Sequence, residues 1–232
     1  MIVFKKLTAR INKGGTERKK LKYYPVFWNI TGKKCAVIGG GEVAQRKALR
    51  LIDCGAKVFV ISPVLTGELA SLKGKNEITH IAQEYSPEHI EGAALVIGAT
   101  DDDEINAAVS RDARARGIPV NIVDDPQKCD FILPSLVERG DLTIAVGTAG
   151  NSPALARHLR EELEACYGEE YAALNNILGK LRPKMEKNAE VGKAWFKKLM
   201  GAGLLDALHR KNREKAKQII REVTGEEVEF EF

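Results

Sequence analysis

No apolar run in these 232 residues approaches the roughly 18 needed to cross a bilayer, which argues against an integral membrane protein. The longest apolar stretches, at 35–41 and 93–99, are strand-sized. A secretory signal is missing as well: Met1-Ile2-Val3-Phe4 meets Lys5 and Lys6 at once, with no long apolar middle and no small-residue cleavage site, so cytoplasmic residence is expected. Cysteine is scarce. Cys35, Cys54, Cys129 and Cys166 include no C-x-x-C pair and no histidine at ligand spacing, which argues against a disulfide framework and structural zinc. The four histidines, His80, His89, His158 and His209, stand singly among polar neighbours, so no metal site is expected. A G-x-S-x-G elbow is absent, which makes covalent hydrolysis a poor candidate.

The remainder has the composition of a soluble globular protein with a packed core, 44% apolar and 29% charged. The length suits one large domain, or one domain with an appendage. The net charge of +4 is unevenly spread: residues 1–22 hold eight Lys or Arg against Glu17 alone, which leaves the rest acidic. That arm reads as a solvated basic extension rather than a patch for nucleic acid or membrane, and no partner of either kind is expected.

From Lys33 onward, apolar strand-like runs at 35–38, 57–61, 78–82, 95–99 and 120–123 alternate with helical stretches or turns. The stretches 43–54 and 103–116 carry Ala and Leu at helical spacing, and Gly55 and Gly117 are placed to end them. Such alternation predicts an α/β fold, a doubly wound and mostly parallel sheet covered on both faces. A second unit begins near Pro134 with one strand at 142–146. The loop that follows leads to Ser152 and Pro153, which suit N-cap and first helical position. Leu155, Leu159 and Leu163 repeat every four residues, and beyond Cys166 the chain reads as helical up to a short strand at 228–232.

Gly39-Gly40-Gly41-Glu42-Val43-Ala44 satisfies G-x-G-x-x-A between a predicted strand and a predicted helix. Gly39 permits the tight turn, Gly41 lets backbone approach a pyrophosphate, and Ala44 lets helix and strand pack closely. The helix N-terminus supplies free N–H donors for phosphate. The alternative is a turn that uses glycine for geometry alone. No carboxylate for the adenosine ribose ends the second strand, where Ile61-Ser62-Pro63-Val64 stands, and no arginine for NADP lies within 62–66. Thr100, at the end of the fourth strand, is placed to line the ligand crevice, while Asp101 to Glu104 read as helix capping. Asp124, at the end of the fifth strand, is the candidate acid–base group, with Asp125 a like charge able to raise its pKa. The alternative is a turn at Asp125-Pro126 that Asp124 caps.

The succession GGGEVAQRK, ATDDDEIN, NIVDDP and FILPSLVERGDLTIAVGTAGNSPALAR resembles the siroheme synthase N-terminal family over about 23–167. That family comprises precorrin-2 dehydrogenases, some of which are also sirohydrochlorin ferrochelatases. The resemblance implies a Rossmann-like NAD-binding domain at 23–133, a dimerisation segment at 134–165 and a helical C-terminal domain at 166–232, in a cytoplasmic homodimer; the basic extension 1–22 falls outside it. It further implies NAD-dependent oxidation of precorrin-2 to sirohydrochlorin. Carried over by position, Asp124 matches the catalytic aspartate, Glu42 and Val43 match main-chain NAD contacts, and Pro63 and Val64 match the second contact pair. Thr148 and Asn151 fall in a loop near the tetrapyrrole site, Thr148 where related chains often have Ser. Arg46, Lys47, Lys128, Arg139 and Arg157 are candidates for the substrate's carboxylates, each read first as a solvated or salt-bridged surface residue. No ligand cluster for iron is visible, so chelatase activity would fall to Asp124. The sequence ends at Phe232, short of the methyltransferase domain of trifunctional members, so precorrin-2 is expected from another protein. The competing reading is a non-catalytic NAD(H)-sensing regulatory module.

Overall fold

The strand sequences KCAVI and KVFVI are nearly continuous apolar runs, and a strand of that kind is stable only when both its faces are covered. In a computed structural model, which describes residues 21–186 and 189–232, this requirement is met by a five-stranded parallel sheet. Its strands are β1 (Lys34–Ile38), β2 (Lys57–Ile61), β3 (Ile78–Ile81), β4 (Leu95–Gly98) and β5 (Val120–Ile122), in the order β3-β2-β1-β4-β5. Alternate residues of β1 serve opposite faces. Cys35 and Val37 pack with Ala44, Ala48 and Leu51 of α1 (Glu42–Asp53) and with Leu69 and Leu72 of α2 (Gly67–Gly74). Ala36 and Ile38 pack with Val109 and Ala113 of α3 (Asp103–Ala115). Each large apolar side chain buried this way contributes about 1.5–3 kcal/mol, against about 0–1 kcal/mol for an exposed ion pair, so these two layers hold the sheet.

The chain winds outward from β1 through β2 to β3, then returns to place β4 on the other side of β1. That reversal opens a crevice at the carboxyl ends of β1 and β4, where ligands bind in sheets of this type. Gly55 and Gly117 follow α1 and α3 with φ of 73° and 66°, as expected of residues that end helices.

After β5 comes an antiparallel hairpin, β6 (Ser135–Arg139) and β7 (Leu142–Val146), paired Arg139 to Leu142. The sequence reading found β7 but missed β6, although Gly140-Asp141 between two alternating runs is a hairpin signal and Gly140 takes φ 54°. Ser152 then caps α4 (Pro153–Cys166), its hydroxyl accepting from the Leu155 N–H at 3.1 Å. The helices α5 (Glu170–Met185), α6 (Ala189–Gly201), α7 (Leu204–His209) and α8 (Arg213–Thr224) enclose a third apolar cluster around Ile177, Leu181, Leu204 and Ile220.

The expected strand at 228–232 does not form. Val228 and Phe230 are buried against the helices with the alternation of a strand, but among the described residues they pair with no other strand. Side chains satisfy the backbone instead, Lys180 donating to the Glu229 carbonyl and Arg213 to that of Phe230. Apart from Leu21 and Lys22, the basic extension lies outside the described residues. No helix among the described residues is long and apolar enough to cross a membrane.

Candidate dinucleotide crevice

The three glycines after β1 meet three different neighbours. Gly39 has φ 121°, and a Cβ there would lie 2.3 Å from the Ala99 carbonyl oxygen, so glycine lets the turn press on the end of β4. A Cβ on Gly40 would lie 1.9 Å from the Val64 carbonyl oxygen. The loop after β2 therefore folds over this residue, tied by Thr66 N–H donating to the Gly40 carbonyl at 3.0 Å. Sequence reasoning missed this contact, because it joins segments more than 20 residues apart. Around Gly41 nothing lies within 4 Å of a would-be Cβ, and Gly41 is the N-cap of α1 with no side chain capping the helix.

The result is an open cradle lined by unsatisfied first-turn N–H groups at the positive end of a helix dipole, which fits a diphosphate. Ala44 is fully buried, which brings α1 close to the sheet. Glu42 is exposed and Val43 half-buried at the rim. Across from them Pro63 is exposed and Val64 is 74% exposed. Ser62 donates to the Val64 carbonyl at 2.7 Å, and His80 Nε2 lies 2.9 Å from the Ser62 carbonyl, so this loop is braced from both sides.

Thr100 follows β4, but its hydroxyl is turned into the strand-to-helix turn, 3.0 Å from both the Asp102 carbonyl and Asn106 Oδ1. Its backbone, held by Asn106 Nδ2 donating to the Thr100 carbonyl at 2.9 Å, is what it offers the crevice. Capping belongs to Asp102, whose carboxylate accepts from the Glu104 and Ile105 N–H groups at 2.8 and 3.0 Å.

At the end of β5, Asp124 is exposed and adopts φ 60°, a left-handed conformation uncommon outside glycine and tolerated best by Asn and Asp. Its carboxylate makes no hydrogen bond or ion pair among the described residues. Asp125 is differently occupied. It accepts from the Gln127 N–H at 3.1 Å, capping a 3-10 turn, and pairs with Lys128 at 2.8 Å. The hydrogen bond from Lys128 holds Asp125 below the usual carboxylate range, so its charge is answered by Lys128 rather than directed at Asp124. The turn is thus capped by Asp125, and Asp124 is left free.

Cys129, read from the sequence only as an isolated cysteine, pins this loop. Its sulfur accepts from the Ile122 N–H at 3.1 Å and lies 3.1 Å from the carbonyls of Ile122 and Asp125, and burial pushes the thiol pKa up. Asn121 Nδ2 donates to the Phe131 carbonyl at 2.9 Å and Ser110 Oγ to the Lys128 carbonyl at 3.0 Å. The edge of β5 is met by the same loop, Val120 N–H donating to Asp130 Oδ2 at 3.3 Å and Asp130 N–H to the Val120 carbonyl at 2.8 Å, beside the Ile122 contacts of Cys129. Asp124 therefore projects from a braced loop.

Gly39, Gly41, Glu42, Val43, Pro63, Val64, Thr100 and Asp124 all lie at the carboxyl edge of the sheet, following β1, β2, β4 and β5. Thr148 and Asn151 lie apart from them in sequence, on the turn from β7 to α4. That turn closes on itself: Thr148 Oγ1 donates to the Ser152 carbonyl at 3.0 Å and Asn151 N–H to the Thr148 carbonyl at 3.0 Å. Among the described residues no group of three or more His, Cys, Asp or Glu could hold a metal ion.

A family model described as putative NAD(P)-binding matches residues 26–135, and one described as the sirohaem biosynthesis protein central region matches 139–165. A siroheme synthase from Aeromonas salmonicida (strain A449) is 39% identical over 211 residues, 89% of this chain and 45% of that protein. One from Nitrosomonas europaea is 44% identical over 168 residues, 72% of this chain and 35% of that protein. The chain thus spans less than half the length of these curated relatives. The solved structure of SirC, a precorrin-2 dehydrogenase, shares the fold with a TM-score of 0.69 and 20% identity, covering 88% of this chain and all of that one. With a nicotinamide-nucleotide domain followed directly by the sirohaem central segment, and with such identity to siroheme synthases, the chain belongs to the siroheme synthase N-terminal family.

Proposed function

We propose that this protein oxidises precorrin-2 to sirohydrochlorin with NAD⁺. One observation carries the reading: an unpaired carboxylate, Asp124, stands on the same sheet edge as the open Gly41 cradle. The relatives' names, siroheme synthase and precorrin-2 dehydrogenase, supply the substrate class. When bound, the nicotinamide supplies the hydride acceptor. The amides of the Gly41 turn and the first turn of α1 hold the diphosphate, and the main chain at Glu42, Val43, Pro63, Val64 and Thr100 flanks the nucleotide, beside the close packing that Ala44 allows. NAD rather than NADP is favoured because no arginine in 62–66 offers a partner for a 2′-phosphate.

Dehydrogenation removes one hydride and one proton. Asp124 takes the proton as general base, and the braced loop from Asn121 to Phe131 keeps it in place while the substrate is held. Thr148 and Asn151 are assigned to the rim that receives the tetrapyrrole. We assign 23–133 to nucleotide binding, 134–165 to dimerisation and 166–232 to a helical domain. In support of a homodimer, α4 buries Ala156 but leaves Leu155 48% exposed and Leu159 and Leu163 half-buried, an apolar stripe suited to a second copy. A cytoplasmic location accords with this pathway step. Fe²⁺ insertion into the product is assigned to the same carboxylate, as a proton acceptor for the pyrrole nitrogens.

The test is NADH formation on mixing purified protein, precorrin-2 and NAD⁺, with NADP⁺ in parallel, followed by sirohydrochlorin and Fe²⁺ without cofactor. Turnover with NAD⁺ supports the reading. Nucleotide binding without turnover would leave a sensing module, and an iron-insertion rate equal to the protein-free control would confine the enzyme to dehydrogenation.

A further inference from the structure

We propose that Lys47 binds a side-chain carboxylate of the tetrapyrrole substrate and so sets the macrocycle beside Asp124. This rests on the reading just given and adds to it the group that holds the substrate. Of the five basic candidates, three are committed elsewhere. Lys128 pairs with Asp125 at 2.8 Å, and Arg157 with Glu161 at 3.0 Å. Arg139 donates to the carbonyls of Tyr167 and Glu164 at 2.8 and 3.2 Å. Arg46 is exposed on the surface of α1. Lys47 differs from all of these: it is half-buried and forms no hydrogen bond or ion pair among the described residues. A lysine ordinarily extends its ammonium into water, and holding it partly buried and unpartnered carries a free-energy cost.

Helix geometry accounts for its position. Val43, Lys47 and Arg50 form one stripe of α1, beside the buried line of Ala44, Ala48 and Leu51. Arg50 at the far end of that stripe reaches Glu138 of β6 at 2.7 Å, so the stripe faces the chain that follows β5. Val123 and Phe131, on either side of the Asp124 loop, pack against the cluster containing Ala44 and Ala48. Burial and the neighbouring Arg46 lower the Lys47 pKa, and the charge of Asp124 pulls it back up, so the two side chains share one electrostatic environment without forming a pair.

An unpaired cation near an unpaired carboxylate is an arrangement that a substrate bearing several carboxylates completes, giving one carboxylate to the ammonium and the proton released on dehydrogenation to Asp124. The Lys47 backbone lies six residues, or about 9 Å of helix axis, beyond the Gly41 cradle, and the NAD⁺ affinity of its variants separates a substrate contact from a diphosphate contact.

The experiment compares wild type, Lys47→Met and Lys47→Arg; methionine keeps most of the apolar stem, so the fold is retained. Three quantities are measured: KM and kcat for precorrin-2, Kd for NAD⁺, and Kd for sirohydrochlorin by its absorbance change. The expected result for Lys47→Met is a KM raised about tenfold or more and sirohydrochlorin binding weakened by a similar factor. NAD⁺ affinity should stay within about twofold, and arginine should recover most of the loss, as a retained charge would. Unchanged KM and product binding would overturn the proposal, as would loss of NAD⁺ affinity or an effect confined to kcat. A wild type that binds sirohydrochlorin but does not oxidise precorrin-2 would remove the dehydrogenase reading and leave Lys47 to be decided by the binding comparison. A wild type that binds neither tetrapyrrole would overturn both.

Discussion

Two adjacent glycines should fail in opposite ways when replaced by alanine. At Gly40 the new Cβ would stand 1.9 Å from the Val64 carbonyl oxygen, where real contacts do not fall below 3.0 Å, so the 62–66 loop must retreat by more than 1 Å. That movement strains two hydrogen bonds, Thr66 N–H to Gly40 at 3.0 Å and Ser62 Oγ to Val64 at 2.7 Å, each contributing about 0.5–1.5 kcal/mol. Gly40→Ala should therefore destabilise the protein by about 1–3 kcal/mol and lower Tm by several degrees. Gly41→Ala meets nothing within 4 Å, and its φ of −83° is open to any residue. The stability of this variant should stay within about 0.5 kcal/mol of wild type, because the unfolded-state entropy saved by alanine offsets its poorer N-capping. Its NAD⁺ affinity should fall at least about tenfold, because the added methyl fills the space left for the diphosphate. Urea melts and calorimetric titration with NAD⁺ measure both quantities. A Gly41→Ala protein as unstable as Gly40→Ala, or one that binds NAD⁺ normally, would refute the division of labour drawn here.

Asp124→Asn should retain NAD⁺ binding and near-normal stability while losing precorrin-2 turnover, because asparagine tolerates the left-handed backbone but cannot accept the proton. Asp124→Ala should lose the same turnover and about 1 kcal/mol of stability besides, and equal melting curves for the two variants would contradict the strain argument. Thiol labelling tests the packing. Exposed Cys54 and Cys166 should react rapidly in the native protein. Cys35, fully buried with its thiol pushed up to about 11 by that burial, and Cys129, raised for the same reason, should react only after unfolding. Fast modification of Cys129 would mean that the loop carrying Asp124 opens readily.

Much of the architecture was legible in the chain because it follows local rules. The runs that became β1 to β5 are short and apolar, the helices between them carry Ala and Leu at regular spacing, and Gly55, Gly117, Ser152 and Pro153 mark ends through their own backbone preferences. Local pattern misled at 228–232, where alternation came from burial against helices and the segment joins neither sheet of the described residues. The hairpin strand β6 was missed although its turn residues were visible.

At the site, the residue types at strand ends were readable, but their use was not. Sequence alone placed a carboxylate pair at Asp124 and Asp125; only the folded loop, through Lys128 and the Gln127 amide, occupies one and frees the other. It likewise offered Arg46, Lys47, Lys128, Arg139 and Arg157 as equivalent, and packing separated them by what lay within reach. Periodicity and turn chemistry are encoded over a few neighbouring residues. Which cation lacks a partner, and which glycine carries a distant loop's weight, depends on segments brought together by the sheet, and this is what the tertiary structure decided.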